Sequence, residues 1–168
     1  MQNPYLEVRA SAIEGRGGFA RQRIPKGTRI IEYLGKRITQ AQANRLYGDE
    51  NCDDEVGHVY LFTVSSRTII DGGVDGNDAR FINHSCEPNC ESVVKKGRVY
   101  IEAIRTIEAG EELNYDYQLD IGEDVTEEDK QRYACLCGSA SCRGTMLDVP
   151  KPKRARSKRA ATEKQKAA

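Results

Sequence analysis

The sequence predicts a mainly β fold in a single domain, and three stretches of residues carry that prediction. Residues 29–34, 59–64 and 99–104 are runs of β-branched and aromatic side chains with the length of strands. No long amphipathic helix is visible, and strands do not alternate with helices, which argues against a doubly wound sheet. The 168 residues, of which 38% are hydrophobic, leave room for one compact domain with a tail.

Turns and short helices complete the predicted elements. Segments 25–27 and 108–110 are turn signals, and each lies between an isoleucine and a later apolar residue at the same offset. This repetition predicts two similar strand–turn–strand corners. Helices are predicted only over 39–47 and after Thr126, a hydroxyl residue that suits an N-cap and is followed by three acids.

Charge is distributed unevenly along the chain, although the formal net charge is zero. Eight of the 26 basic residues but only one of the 26 acidic residues lie in 150–168, so this tail carries +7 and residues 1–149 carry −7. The tail has little to pack and is predicted to be disordered. An acidic body suits a basic substrate and a basic tail suits nucleic acid, although both charges can also serve solubility alone.

No segment predicts contact with a membrane. The longest hydrophobic run, residues 133–137, is far shorter than the ~20 residues that a spanning helix needs. Residues 1–4 lack the basic flank and the apolar stretch of a signal peptide. We therefore expect an intracellular protein, and the sequence does not indicate its oligomeric state.

The cysteines give the clearest chemical signal. Cys135, Cys137 and Cys142 form a C-x-C-x4-C pattern around a glycine, and this pattern supplies three of the four ligands of a tetrahedral zinc ion. Either Cys86 or Cys90 can supply the fourth ligand. A disulfide is the alternative, but it needs an oxidising compartment that no secretion signal indicates.

Four segments together resemble the SET-domain protein lysine methyltransferases that carry a post-SET zinc motif. The matching segments are 15–20 with 24–35, 80–90, 110–117 and 135–142. Taken alone, the glycine-rich loop in the first segment is a weak signal, because half of such loops are only turns and this one lacks the residues of a phosphate cradle. The resemblance divides the chain into a SET domain (5–119), a connecting segment with a short helix (120–134), a post-SET zinc knot (135–149) and the basic tail (150–168).

The resemblance implies a mainly β SET-domain fold of several small curved β-sheets with few short helices. The chain near Tyr115 is expected to thread under the loop at 83–90 as a C-terminal pseudoknot. S-adenosyl-L-methionine is the implied cosubstrate, and Zn²⁺ is the implied structural metal. The residues that match the cofactor site are Arg16, Gly17, Gly18, Asn83, His84, Tyr117 and Leu136. The residues that match the zinc ligands are Cys86, Cys135, Cys137 and Cys142.

Three tyrosines match the lysine channel of the family. Tyr117 matches the catalytic tyrosine, Tyr60 the tyrosine of the opposite wall, and Tyr115 a position that limits the number of methyl groups. Aromatic rings attract the cationic sulfonium and ammonium groups, and the hydroxyls orient the amine. The Tyr115 hydroxyl leaves less room in the channel, which predicts mono- or dimethylation. Without the resemblance, these tyrosines would be taken as ordinary strand residues.

The predicted substrate is a lysine side chain in a basic protein such as a histone or a histone-like tail. Five acids between residues 49 and 55 suit a partner rich in Lys and Arg. Such a substrate places the protein in the nucleus at chromatin in a eukaryote, or in the cytoplasm and nucleoid of a bacterium. Glu111 and Glu112 are expected to have structural roles.

The tail leaves several possibilities open. Residues 155–158 resemble the small–Arg–Ser/Thr–Lys pattern of a histone N-terminus, so Lys158 is a candidate for methylation in cis or for a pseudosubstrate. Contact with DNA through residues 150–168 is the other interpretation of this tail. The alternative to an enzyme is a non-catalytic scaffold that binds the cofactor and zinc, and binds DNA or chromatin through its tail.

Overall fold

The computed structural model describes residues 3–47, 60–122 and 124–148, which form ten short strands and two short helices. The strands are β1 (Leu6–Ala10), β2 (Arg16–Ala20), β3 (Arg29–Tyr33), β4 (Lys36–Ile38), β5 (Leu61–Ser65), β6 (Thr68–Asp71), β7 (Asn83–His84), β8 (Cys90–Lys95), β9 (Arg98–Ala103) and β10 (Glu112–Tyr115). The helices are α1 (Gln40–Tyr47) and α2 (Glu127–Arg132), and a 3-10 turn covers Asp78–Phe81. The mainly β prediction is confirmed, and the three predicted runs correspond to β3, β5 and β9.

Three small sheets contain these strands, in the orders β1-β2-β10-β7, β3-β9-β8 and β4-β6-β5. In the first sheet β10 is antiparallel to β2 and parallel to β7, where Asn114 pairs with Asn83. The Asn89 side chain reinforces this contact, because it donates to the Glu112 carbonyl at 2.8 Å and accepts from the Asn114 backbone at 3.0 Å. The late strand β10 therefore lies beside residues 80–90, the central segment, as the predicted pseudoknot requires.

Strand β2 contains glycines because its neighbours approach its backbone too closely for side chains. A Cβ atom at Gly17 would lie 2.3 Å from Glu112 Oε1, and one at Gly18 would lie 2.7 Å from Leu6 Cδ1. Both glycines are buried. The backbone of β2 is thus held in direct contact with β10 on one side and β1 on the other, which fixes the position of the glycine-rich loop.

The two predicted corners pair with each other. Ile24 and Ile107 form an antiparallel bridge with hydrogen bonds of 2.8 and 2.9 Å, and both side chains are fully buried. Gly27 and Gly110 follow at φ angles of +80° and +85°, a region that favours glycine. The prediction of two similar corners is confirmed, and their direct contact is an additional finding.

The hydrophobic core lies between the first two sheets. Leu6, Ile101 and Leu113 are almost completely inaccessible to solvent and belong to one cluster. A smaller cluster packs helix α1 against the third sheet through Ala43 and Ile69. The predicted helix over 39–47 is therefore confirmed, and the buried Ala43 and a 2.7 Å hydrogen bond from the Tyr47 hydroxyl to Asp71 attach it to the domain.

The chain after β10 returns to the domain through α2. Thr126 caps this helix as predicted, since its hydroxyl accepts from the Asp129 backbone at 3.1 Å while the Asp129 carboxylate accepts from the Thr126 backbone at 2.9 Å. Beyond the helix, Leu147 is fully buried and forms a parallel bridge with Leu119. None of the helices that the structure describes is long and apolar enough to cross a membrane. The predicted acidic segment and the tail at 150–168 lie outside the described residues.

Candidate active site

An aromatic cluster stands where β10, β3 and β5 meet. Tyr115 is 6% exposed at the end of β10, and its ring centroid lies 4.8 Å from that of Tyr117 and 6.3 Å from that of Phe62. Phe62 in turn lies 5.3 Å from Tyr33. The structure therefore brings the predicted Tyr115 and Tyr117 together and adds two rings that the sequence analysis did not single out. In the sequence, Tyr33 and Phe62 lie in runs of β-branched and aromatic residues. Such runs indicate a strand, but they do not indicate a site.

Tyr117 is held rigidly from both ends. Its hydroxyl donates to the Ile82 carbonyl at 2.9 Å, and its backbone N–H donates to Nδ1 of His84 at 3.1 Å. Burial raises the pKa of Tyr117 above its usual value, and the nearby Tyr33 and Tyr60 add to the rise. Its phenol is therefore neutral at physiological pH, and one of its oxygen lone pairs remains available to accept a hydrogen bond.

Tyr60 lies at the edge of this cluster, next to a charged side chain. Its ring is half-buried and lies 5.9 Å from Phe81, in an edge-to-face arrangement. The Arg80 guanidinium lies 5.6 Å from the Tyr60 ring and 4.8 Å from the Phe81 ring, and it donates to the Gly72 carbonyl at 3.0 Å. Arg80 fixes the ring that was predicted for the opposite wall, and no local pattern in the sequence indicates this role.

His84 connects the tyrosine cluster to the cysteines. Its imidazole is only 3% exposed, and burial lowers its pKa to about 4, so the ring is neutral at pH 7. Because Nδ1 accepts from the Tyr117 backbone, the proton must be on Nε2, which lies 3.5 Å from Sγ of Cys86. Both ring nitrogens are used within the protein. A cofactor contact at this residue would therefore be made by its backbone.

Asn83 ties the glycine-rich loop to β10. Its Nδ2 atom lies 2.9 Å from Glu112 Oε1 and 3.2 Å from the carbonyl of Arg16. Ser11 Oγ donates to the same Glu112 oxygen at 2.7 Å. The Arg16 guanidinium stacks over Phe81 at 4.1 Å from the ring centroid. These contacts fix the edge of the loop where the cofactor residues were predicted.

Glu112 has a more specific position than the sequence analysis gave it. Its carboxylate is at the centre of the Asn83 contacts, whereas Glu111 pairs with Arg105 at 2.7 Å and accepts from the Glu108 backbone in a turn. The available signal was the alternation in β10, where two buried apolar residues alternate with Glu112 and Asn114. Glu112 and Asn114 both bind the central segment.

Four cysteines converge beside His84. The sulfur atoms of Cys86, Cys135, Cys137 and Cys142 all lie within 4.8 Å of one another. Cys86 Sγ is 3.7 Å from that of Cys135 and 4.0 Å from that of Cys142. Four thiolates in a tetrahedron with Zn–S bonds of ~2.3 Å stand about 3.8 Å apart, so the spacing fits zinc. Cys90, the other candidate, is fully buried in the core cluster and is not part of this group.

Backbone hydrogen bonds reach several of the sulfur atoms. The backbone of Arg143 donates to Cys86 Sγ at 3.3 Å, and the backbone of Gly144 donates to Cys142 Sγ at 3.4 Å. Burial raises the pKa of Cys86 and Cys135. Burial alone would also raise the pKa of Cys137, but hydrogen bonds from the Cys86 backbone and from Ser139 lower it to about 5. The donor set and its surroundings therefore fit a structural zinc ion.

An ion pair joins the cysteine-rich segment to the tyrosines. The Arg143 guanidinium donates to both carboxylate oxygens of Asp116, at 2.7 and 2.8 Å. Asp116 lies between Tyr115 and Tyr117 in the sequence, and the pair holds the pKa of its carboxyl below the usual value despite burial. Leu136, predicted to cover the adenine, is 61% exposed between two of the cysteines. The segment 135–148 is thus held against the residues between Tyr115 and Tyr117 by this ion pair, the clamp, and it exposes the Leu136 side chain to solvent.

The sequence is similar to that of known proteins over most of its length. Residues 15–118 match the model of the SET domain. The chain is 41% identical over 138 residues to an H3 lysine-4 specific histone-lysine N-methyltransferase of Chaetomium globosum, covering 80% of this chain and 12% of that protein. It is 41% identical over 147 residues to the Saccharomyces cerevisiae enzyme with the same description, covering 85% of this chain and 13% of that one. It is 38% identical over 151 residues to human histone-lysine N-methyltransferase 2D, covering 86% of this chain and 2% of that protein. The chain therefore spans about an eighth or less of the length of these relatives.

Proposed function

The chain belongs to the SET-domain family, and from this premise we propose that it transfers methyl groups from S-adenosyl-L-methionine to lysine side chains of a basic, histone-like protein. The observation that carries the proposal is the position of Tyr117, a half-buried neutral phenol that contacts Tyr115 on one side and His84 on the other. Relatives described as histone-lysine methyltransferases, two of them specific for lysine 4 of H3, support a histone substrate.

The tyrosines have the properties that an alignment site needs. S-adenosyl-L-methionine supplies a methyl group on a sulfonium that is a good leaving group, so the task of the protein is to orient the amine for in-line attack. Tyr117 donates to Ile82, which fixes its hydroxyl and leaves its oxygen free to accept from the lysine amine. The rings of Tyr60, Tyr115 and Tyr117 attract cationic groups.

No residue of the cluster needs to act as a strong base. A lysine side chain has a reference pKa of ~10.4, and burial beside a cationic cofactor favours its neutral form. The imidazole of His84 has both nitrogens engaged and is therefore unsuited to remove the proton. We propose that the proton leaves to solvent before the amine attacks.

The proposed cofactor site lies along β2 and the central segment. The buried backbones of Gly17 and Gly18, the network at Asn83 and the backbone of His84 form one continuous edge, with Arg16 stacked beside it. Leu136 would cover the adenine, and its exposure supports this role. Burying that side chain against a bound ring contributes about 1.5–3 kcal/mol.

Zinc would be held by Cys86 together with Cys135, Cys137 and Cys142. The ion would close the segment 135–148 against the central segment, since Cys86 comes from one and the other three ligands come from the other. In this proposal zinc has a structural role, because all four of its positions are occupied by protein ligands.

The finer features of the reaction follow from particular residues. The Tyr115 hydroxyl is the basis for proposing mono- and dimethylation as the main products. A histone substrate places the action at chromatin in a eukaryotic nucleus, and a histone-like protein places it in the bacterial nucleoid. Contact with DNA through the tail at 150–168 is a further prediction from its charge.

The decisive experiment measures methyl-lysine directly. The zinc-loaded protein is incubated with labelled S-adenosyl-L-methionine and a histone mixture, and its cofactor affinity is measured by calorimetry. We expect labelled lysine with the wild type, loss of label with Tyr117→Phe, and retention with Tyr100→Phe, a matched change on β9 outside the cluster. Cofactor binding without any label would contradict the proposed histone-like substrate, and absence of cofactor binding would contradict the proposed enzyme.

A further inference from the structure

We propose that strand β8 is a dimerisation edge, which pairs antiparallel with β8 of a second copy of the chain. The two β3-β9-β8 sheets would then form one continuous sheet across a two-fold axis. Within the described residues, β8 (Cys90–Lys95) is the last strand of its sheet and is paired only with β9. The proposal goes beyond the proposed methyl transfer. It is supported by the backbone groups that β8 leaves unpaired, by its charges, and by the order of its residues.

The turn between β8 and β9 determines which backbone groups of β8 point away from the domain. Lys96 and Gly97 have φ angles of +51° and +73°, as in the type I′ turn of a two-residue hairpin. The residues that flank such a turn, here Lys95 and Arg98, exchange backbone hydrogen bonds with each other. Along β8, residues that bond to β9 therefore alternate with residues whose N–H and C=O groups point outward.

Ser92 and Val94 are the residues with outward backbone groups in the free half of β8. The alternation that begins at Lys95 reaches Asn89, whose carbonyl accepts from the Ile104 N–H at 3.0 Å as expected. No group in the described ranges bonds to the outward side of Ser92 or Val94. The Val94 side chain is in addition 49% exposed. An edge with unpaired donors and acceptors and an exposed apolar side chain is a template for a further strand.

Glu91 and Lys95 carry charges that the domain itself does not compensate. In the β8–β9 register Glu91 lies opposite Glu102, and Lys95 lies opposite Arg98. Like charges directly opposite each other destabilise a sheet. The two residues on β9 are paired with side chains of β3. Neither Glu91 nor Lys95 forms an ion pair within the part of the chain that the structure describes. Each would gain an opposite charge from a suitable partner strand.

The order of residues in β8 is complementary to itself in the antiparallel direction. With Val93 on the two-fold axis, Glu91 of each copy faces Lys95 of the other, at positions without hydrogen bonds, where side chains are closest. Ser92 then exchanges backbone hydrogen bonds with Val94 of the other copy, so the outward groups of both are satisfied. In the neighbouring registers with the same bonding pattern, Val93 faces Glu91 or Lys95 and both ion pairs are lost. The charges therefore select one register, and its symmetry selects a second copy as the partner.

The test measures the mass of the full zinc-loaded chain by sedimentation velocity. We expect a species of twice the monomer mass whose fraction rises over about a hundredfold range of protein concentration, since a two-strand edge is a small interface. Glu91→Lys and Lys95→Glu each place like charges in both ion pairs and should raise the dissociation constant about tenfold or more. Lys26→Glu, a matched charge reversal in the exposed turn before β3, should leave the association unchanged.

A mixture of the two charge variants tests the register. Chains with Glu91→Lys carry two positive charges at these positions, and chains with Lys95→Glu carry two negative charges. The mixture should therefore associate at a concentration where each variant alone is monomeric. Amide hydrogen exchange tests the strand pairing, because the Ser92 and Val94 amides should exchange more slowly as the dimer fraction rises.

Each outcome decides the proposal. A wild-type chain that is monomeric at every concentration would overturn it, and so would a dimer that neither charge reversal weakens. Failure of the mixed variants to associate would overturn the register, and a dimer with unprotected Ser92 and Val94 amides would overturn the strand pairing. Methyl transfer is measured on the same samples as a separate readout. Label from a monomeric chain would overturn this inference while leaving the proposed function intact.

Discussion

The ion pair between Arg143 and Asp116 should contribute measurably to the stability of the folded protein and to catalysis. Arg143→Ala removes two charge-assisted hydrogen bonds of 2.7 and 2.8 Å but keeps the backbone N–H that donates to Cys86. The substitution therefore breaks the ion pair while the backbone hydrogen bond to the cysteine cluster is kept. It also removes a positive charge near Cys86 and Cys135, so zinc content is measured in the same variant.

The magnitude follows from the burial of the pair. Each side chain is 23% exposed, so the pair is neither fully buried nor free in solvent. Breaking a buried pair costs about 3–5 kcal/mol, and exposed pairs contribute about 0–1 kcal/mol. We expect a coupling free energy of about 2 kcal/mol, or roughly a 30-fold change in the folding equilibrium. Arg23 and Glu108 form the matched control, since their side chains are 62% and 65% exposed and we expect at most about 1 kcal/mol there.

The assay is a double-mutant cycle in urea with zinc-loaded protein. Arg143→Ala, Asp116→Ala and the double variant give the coupling free energy of the buried pair, and the same cycle on Arg23 and Glu108 gives the control value. Methyl transfer by Arg143→Ala should also fall, by up to about 100-fold, because Asp116 positions its two tyrosine neighbours. A coupling free energy no larger than that of the exposed pair, with full activity, would refute the clamp.

Three further experiments test separate parts of the site. Tyr115→Phe removes a hydroxyl from the proposed lysine channel, so mass spectrometry of a methylated lysine peptide should find a higher methylation state; an unchanged product distribution would contradict this. Cys86→Ala should reduce bound zinc, measured by metal analysis, to well below one ion per chain, whereas Cys90→Ala should retain zinc and lower stability by about 1 kcal/mol through its core cavity; equal zinc content in both variants would show that Cys86 is not a ligand. Glu112→Gln should weaken S-adenosyl-L-methionine binding about tenfold by calorimetry, while Glu111→Gln should not; equal affinities would argue against the network at Asn83.

Local features of the fold could be predicted from the sequence. Thr126 followed by acids is sufficient to predict an N-cap, because the cap is made within four residues. The runs that form β3 and β9 could also be predicted, because a strand is indicated by the types of its own consecutive residues. The partner of each strand could not be predicted, since a period of two shows which residues share a face but not which strand lies alongside.

The site was harder to predict than the strands and helices, because its residues come together through contacts between distant parts of the chain. The spacing of Cys135, Cys137 and Cys142 indicated a metal but left Cys86 and Cys90 as alternatives. The family resemblance favoured Cys86, and the fold brings Cys86 beside the other three. The resemblance to a family supplied the tyrosines and Asn83. The role of Arg143 was not visible, because its partner is 27 residues away and no local pattern links the two.

The pairing of β2 with β10 has a consequence for the order in which the protein acquires its structure. Gly18 pairs with Leu113, 95 positions later in the chain. Closing such a long loop is entropically costly, and folds dominated by distant pairings reach the native state in milliseconds to seconds rather than microseconds. During synthesis, the glycine-rich loop therefore lacks its neighbour until β10 has left the ribosome. A nascent chain that ends before residue 112 would contain most of the domain and the glycine-rich loop, but it would lack Tyr115, Tyr117 and the strand that pairs with Gly18.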